Sequence, residues 1–92
     1  MMFDVVTSSQ FKKDLKLVIK RRRNIEHLRT VVKTLASGEE LAPKYRDHAM
    51  TANYIGFREC HIEPDWLLMY KIRLETRELY LFRTGTHSDL LS

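Results

Sequence analysis

Cysteine occurs once, as Cys60, so no internal disulfide can staple this chain. A lone thiol suits a reducing compartment, which makes the cytoplasm the expected location. No apolar run approaches the ~20 residues that cross a bilayer, so no membrane partner is expected. The opening MMFDVVTSSQFKKDLK lacks the long uncharged core and small-residue cleavage site of a secretory signal. Glycine (three) and proline (two) are scarce, and nothing is repeated or of low complexity. There is no linker at which 92 residues would divide, so a single domain over 1–92 is expected. Acidic residues are scarce in one place. Residues 11–33 hold nine Lys and Arg against Asp14 and Glu26 alone, while the rest of the chain is slightly acidic. A basic segment on such a body fits a polyanionic or acidic partner, and it equally fits a solvated helical face.

What is present has a legible order. FDVVT (Phe3–Thr7) is brief, β-branched and apolar, which predicts a strand. Ser8 and Ser9 follow as helix N-cap candidates. Phe11, Leu15, Val18 and Ile19 then share one helical face, and Lys12, Lys16, Lys20 and Arg23 form a cationic stripe on another. Asn24 is placed to cap a second helix that buries Ile25, Leu28, Val32 and Leu35, with Gly38 as its left-handed end. Residues 39–53 read as a loop with a short strand near its end. Three strand-like runs follow: Tyr54–Ile62, Trp66–Leu74 and Leu79–Thr86. Pro64 and Asp65 suit the tight turn of an antiparallel hairpin. The middle run is apolar at nearly every position, which suits a strand covered on both faces. Helices and strands are segregated along the chain, so the fold class is α+β: an N-terminal strand and a two-helix hairpin packed on a mostly antiparallel sheet.

The polar residues gather in the sheet half. His48 lies in the loop before the hairpin, Glu59 and His61 share strand parity, and Asp65 sits in the turn beyond. Arg83 and His87 share parity at the end of the last run, unless Gly85 bends it. Histidine changes charge near neutral pH. RNA cleavage needs a base for the 2′-hydroxyl, a cation for the crowded phosphate and an acid for the leaving oxygen. His48, His61, Asp65, Arg83 and His87 contain those parts. Each also has a plain structural reading: His61 and Asp65 as a hydrogen-bonded turn, Arg83 paired with Glu59, His27 as a surface residue. No two candidate ligands have the close spacing of a zinc site, and Cys60 points the opposite way from His61, so no metal or other cofactor is expected.

The blocks RECHIEPDWLLMYKI and LFRTGTHSDLL, with RDHAM before them, resemble the toxins of the RelE/ParE superfamily in its YafQ branch. The resemblance runs essentially the length of the chain. It implies a RelE-like fold and a bacterial type II toxin–antitoxin toxin, a ribosome-dependent mRNA endonuclease that works by 2′-hydroxyl attack on the adjacent phosphate without metal. By position it implies His48, His61, Asp65 and His87 as active-site residues. His87 would be the general acid, Asp65 or His61 the base, and His48 a positioning or proton-shuttling group. Arg83 would stabilise phosphate charge. Lys12, Lys16, Lys20 and Arg23 would meet ribosomal RNA. The implied partners are the ribosome, mRNA and a DinJ/RelB-like antitoxin encoded in an adjacent gene, the last in a heterotetramer. Two positions depart from the branch. Glu59 stands where Asp is frequent, and the chain ends Leu90-Leu91-Ser92 where an aromatic residue is frequent. Two other readings share this fold: a non-catalytic gyrase-poisoning protein of the ParE kind, and a basic RNA-binding module.

Overall fold

Ser8 joins the two halves of the molecule. Its hydroxyl accepts from the N–H of Phe11 at 2.9 Å and donates to the carbonyl of Phe82 at 2.7 Å. One side chain thus caps the first helix, α1 (Ser9–Lys20), and pins it to the sheet. In this computed structural model residues 2–91 are described, Leu91 by its backbone only.

The strand β1 (Asp4–Thr7) precedes α1. Arg22, in the left-handed region at φ 60°, turns the chain into α2 (Ile25–Ala36), which Asn24 caps through the N–H of Glu26. Gly38, at φ 83°, closes α2. Its N–H reaches the Leu35 carbonyl and that of Glu39 reaches Thr34, a paired closure that needs a left-handed residue. After two short 3-10 turns and β2 (His48–Ala49) come β3 (Arg58–Glu63), β4 (Trp66–Arg73), β5 (Glu78–Gly85) and a five-residue helix, α3 (His87–Leu91). The sheet order is β1-β5-β4-β3-β2. β1 runs parallel to β5, and every other pairing is antiparallel.

The helices cover one face. Phe11, Val18, Leu28, Val31 and Leu35 meet Cys60, Ile62, Trp66, Leu68, Tyr70, Leu79 and Leu81. Each such buried side chain is worth about 1.5–3 kcal/mol of transfer free energy. Trp66 through Tyr70 are all buried, as the unbroken apolar run of β4 predicts. On the opposite face, Tyr54, Phe57, Tyr80 and Phe82 form a ring cluster with centroids 4.8–6.5 Å apart.

The structure corrects several local expectations. Ile19 is exposed, and Asp14 takes a place on the buried face of α1 instead. In α2, Val31 is fully buried, while Ile25 and Val32 are only partly so. β3 begins at Arg58, not Tyr54, because a 3-10 turn over Ala52–Tyr54 and Gly56 at φ 92° bend the chain first. The chain beyond Gly85 is not a strand exit but the helix α3.

Candidate active site

The β3–β4 turn and the start of α3 meet at one end of the sheet. His61, near the end of β3, has its Nδ1 3.2 Å from the Pro64 carbonyl. A carbonyl can only accept, so Nδ1 carries the proton and the neutral ring keeps a lone pair on Nε2. His87 opens α3. Thr86 accepts from the N–H of Asp89 at 3.1 Å, and the Asp89 carboxylate accepts from the N–H of Thr86 at 2.9 Å. This reciprocal cap fixes where the helix begins. Gly85 is required here, since a Cβ on it would stand 2.8 Å from the Asp89 carboxylate.

So placed, His87 makes two contacts with one oxygen of Asp65, through its backbone N–H at 3.1 Å and through Nδ1 at 2.6 Å. The side-chain contact and then the backbone one are the largest causes that hold the Asp65 carboxyl below its usual range. An ionised Asp65 accepts, so Nδ1 of His87 donates and Nε2 is left out of that contact. The His61 and His87 rings lie 5.6 Å apart between centroids, tilted by 56°. His61, Asp65 and His87 therefore form one cluster in which each ring is tethered through Nδ1 and keeps Nε2 out of its tether.

His48 and Glu59 form a second pair. They are opposite each other in the β2–β3 register, with His48 Nε2 3.4 Å from the Glu59 carboxylate. His48 Nδ1 donates to the Arg46 carbonyl at 2.8 Å. Glu59 shares its face of β3 with His61, so the two pairs are neighbours on one strand. The adjacent Asp47 accepts from Tyr70 Oη at 2.6 Å and from Arg58 Nε at 3.3 Å. Burial, then Asp47, pushes the Tyr70 phenol well above its usual range. Cys60 is buried on the helix face, its thiol pushed up to about 12 mainly by burial, so it offers no nucleophile.

Arg83 has a different protein partner from the Glu59 of its plain structural reading. Its Nε and Nη2 donate to Asp14 at 2.8 and 3.2 Å, and Asp14 also accepts the buried N–H of Thr84 at 3.1 Å. It does not pair with Glu59. The cause is topological. β1 stops at Thr7, level with Leu81, so the edge of β5 beyond that point has no strand beside it. Asp14 supplies the missing acceptor. Thr84 continues the network inward, accepting from Trp66 Nε1 at 2.9 Å and donating to the Leu67 carbonyl at 2.7 Å. A second tie runs from Arg21 to Asp89, at 2.6 and 3.1 Å.

The basic stripe divides. Lys12, Lys16 and Lys20 are exposed along α1. Arg23 is drawn to Glu63 at 3.1 Å and lies 5.9 Å from the Trp66 ring centre, so it belongs to the β3–α2 contact. The contrast at the chain end, Leu91-Ser92, lies outside the described side chains. Asp14, Arg21 and Asp89 were not singled out from sequence. Asp14 could have been, as the acidic residue between Phe11 and Val18 on an apolar face. Asp89 could have been too, as the fourth residue of Thr86-x-x-Asp89.

Comparison with known proteins places this geometry. The family model described as a bacterial toxin of type II toxin–antitoxin systems, YafQ, matches residues 3–92. The mRNA interferase toxin YafQ of Escherichia coli BL21-DE3 is 39% identical over 89 residues, 95% of this chain and 94% of that one. The crystal structure of the E. coli DinJ–YafQ complex contains a chain matching at TM-score 0.89 and 36% identity, over 98% of this chain and 99% of that one. A metal-bound toxin from Helicobacter pylori matches at TM-score 0.89 and 43% identity, with the same coverage. Among the described residues of the present chain, no three His, Cys, Asp or Glu side chains are grouped to hold a metal ion.

Proposed function

The chain belongs to the YafQ family of bacterial type II toxins, and on that premise we propose that it is an mRNA interferase whose chemistry is carried by His61 and His87. The observation that carries the reading is the pair of imidazoles 5.6 Å apart with opposite tethers. His61 is tethered to a carbonyl, which leaves a basic Nε2. His87 is tethered through Nδ1 to an ionised carboxylate, which leaves its Nε2 for the leaving oxygen.

The step follows from those tethers. Nε2 of His61 takes the proton of a ribose 2′-hydroxyl. The 2′-oxygen attacks the adjacent phosphorus, and the bond from phosphorus to the 5′-oxygen breaks. Nε2 of His87 gives its proton to that leaving oxygen. The products are a 2′,3′-cyclic phosphate and a 5′-hydroxyl, and no proton or electron is left over. Asp65 orients His87 and does not act as base, because its carboxyl is already committed to His87. His48, backed by Glu59, is the contact to the phosphate at the rim. Arg83 acts through Asp14, by holding the strand that delivers His87.

A DinJ-type antitoxin is the partner of this toxin, as in the E. coli complex. The finer assembly follows the same reading: a heterotetramer with antitoxin, and the A site of the ribosome for the free toxin. Lys12, Lys16 and Lys20 face ribosomal RNA phosphates there, and action on translating message places the protein in the cytoplasm. No helix among the described residues is long and apolar enough to cross a membrane.

The test is primer extension on a message in a reconstituted translation system, with and without ribosomes. Codon-aligned cuts that need ribosomes and vanish in His61→Ala and His87→Ala are the expected result. Intact message with DNA damage in cells would replace this reading with gyrase poisoning. Cutting at equal rate without ribosomes would remove the ribosome from it.

A further inference from the structure

Beside the catalytic cluster lies a groove of about 590 Å³, between α2, the 3-10 turn Pro43–Tyr45 and the end of β3. His27, Thr30, Lys44, Tyr45, Arg46 and His61 line it, whereas Asp65 and His87 do not. It therefore opens from the His61 side of the cluster. Its wall is cationic. The two oxygens of Glu63 are occupied by Arg23 at 3.1 Å and His27 at 2.8 Å. Lys44 and Arg46 have no carboxylate partner among the described residues. Lys44 Nζ instead stands 5.1 Å from the centre of the Tyr45 ring. Arg46 is held at φ 50°, a costly conformation for a residue with a side chain, and its carbonyl fixes His48.

We infer that this groove is the subsite for the nucleotide on the 5′ side of the cut, the one whose 2′-hydroxyl attacks. The inference rests on the mRNA interferase reading above and gives it a direction. The attacking hydroxyl must lie at the base, His61, and it belongs to the upstream nucleotide. The leaving oxygen must lie at the acid, His87, and it belongs to the downstream one. A groove that includes His61 and excludes His87 can only continue upstream. Its contents match what that nucleotide presents. Lys44 and Arg46 face the phosphate preceding it, and Tyr45 offers a ring face or edge to its base.

Two measurements test it. The first titrates isotope-labelled protein with the four nucleoside 3′,5′-bisphosphates and follows backbone amide shifts. Shifts at Thr30, Tyr45 and Arg46, with affinity about tenfold weaker in Lys44→Ala/Arg46→Ala, are expected for two lost charge-assisted contacts. Shifts confined to Asp65 and His87, an affinity unmoved by the double variant, or the same shifts from inorganic phosphate alone would overturn the assignment. The second compares kinetics of message cutting. The double variant should raise KM with kcat little changed, unlike His87→Ala, which should lower kcat. Unaltered protein that cuts no message overturns the reading beneath this one. Normal cutting with KM unmoved by the double variant overturns the groove alone.

Discussion

Residues 83–89 and residues 46–50 flank the same cluster, and they are held by opposite means. The C-terminal flank is tied to α1 twice, by Asp14 to Arg83 and Thr84 and by Arg21 to Asp89, and it ends in a capped turn of helix. The other flank carries His48 on a two-residue strand between two 3-10 turns, and neither the strand nor the turns buries a residue. Its main inward tie is Asp47, through Tyr70 and Arg58. The difference sorts the chemistry. Proton delivery to a leaving oxygen tolerates little displacement, and His87, the acid we propose, stands on the tied flank. Contact with a substrate can adapt, and His48, the rim contact we propose, stands on the lightly held one.

Removing His87 should break the comparison most sharply. His87→Ala should slow message cutting by about 10²–10⁴-fold, the ordinary worth of a placed acid. Urea unfolding should show little change, since His87 is half exposed and its helix is capped by Thr86 and Asp89. A stability loss as large as the activity loss would make His87 a structural residue.

Asp14→Ala comes next. It leaves the Arg83 guanidinium without its carboxylate and the buried Thr84 N–H without an acceptor, at a cost of about 2–4 kcal/mol in urea unfolding. Asp14→Asn keeps an oxygen for Thr84 and should recover part of that loss. Cutting should fall with both variants, although Asp14 is far from touching substrate. Stability within error of the parent would dissolve the idea of a tied flank. His48→Gln, on the other side, should slow cutting about tenfold with unfolding unchanged, as expected for one exposed rim contact. A larger effect than that of His87→Ala would exchange the roles of the two flanks.

The tied flank is also where sequence reading fell shortest. Ser8, Asn24 and Gly38 act on residues within a turn of themselves, and their roles were legible. So were the α+β class, the β3–β4 turn at Pro64–Asp65 and the buried middle strand. Asp14 was not, because its role depends on where β1 stops along β5, some 70 residues away in sequence. The shared parity of Arg83 and His87 failed because β5 ends at Gly85 and His87 opens α3 instead of continuing the strand. α3 is too short for periodicity to announce it. The members of the cluster itself were legible from residue type and position. The division of labour proposed for them rests on the tethers at Pro64 and Asp65.

The smallest effect tests whether the second tie is electrostatic. The Arg21 side chain, then the N–H of Thr86, holds the Asp89 carboxyl well below its usual range. A carboxyl with a lowered folded-state value stabilises the fold above the unfolded value, near 3.9. That contribution is lost as pH falls through the folded value. At neutral pH, Asp89→Asn should therefore melt a few degrees below the parent. Below about pH 4 the parent should lose stability faster than the variant, and the two curves should converge. Asp65 titrates in the same direction in both proteins and drops out of the difference. Curves that stay parallel to low pH would mean that the ionised Asp89 carboxylate adds nothing through either Arg21 or the Thr86 N–H, and that the second tie is not electrostatic.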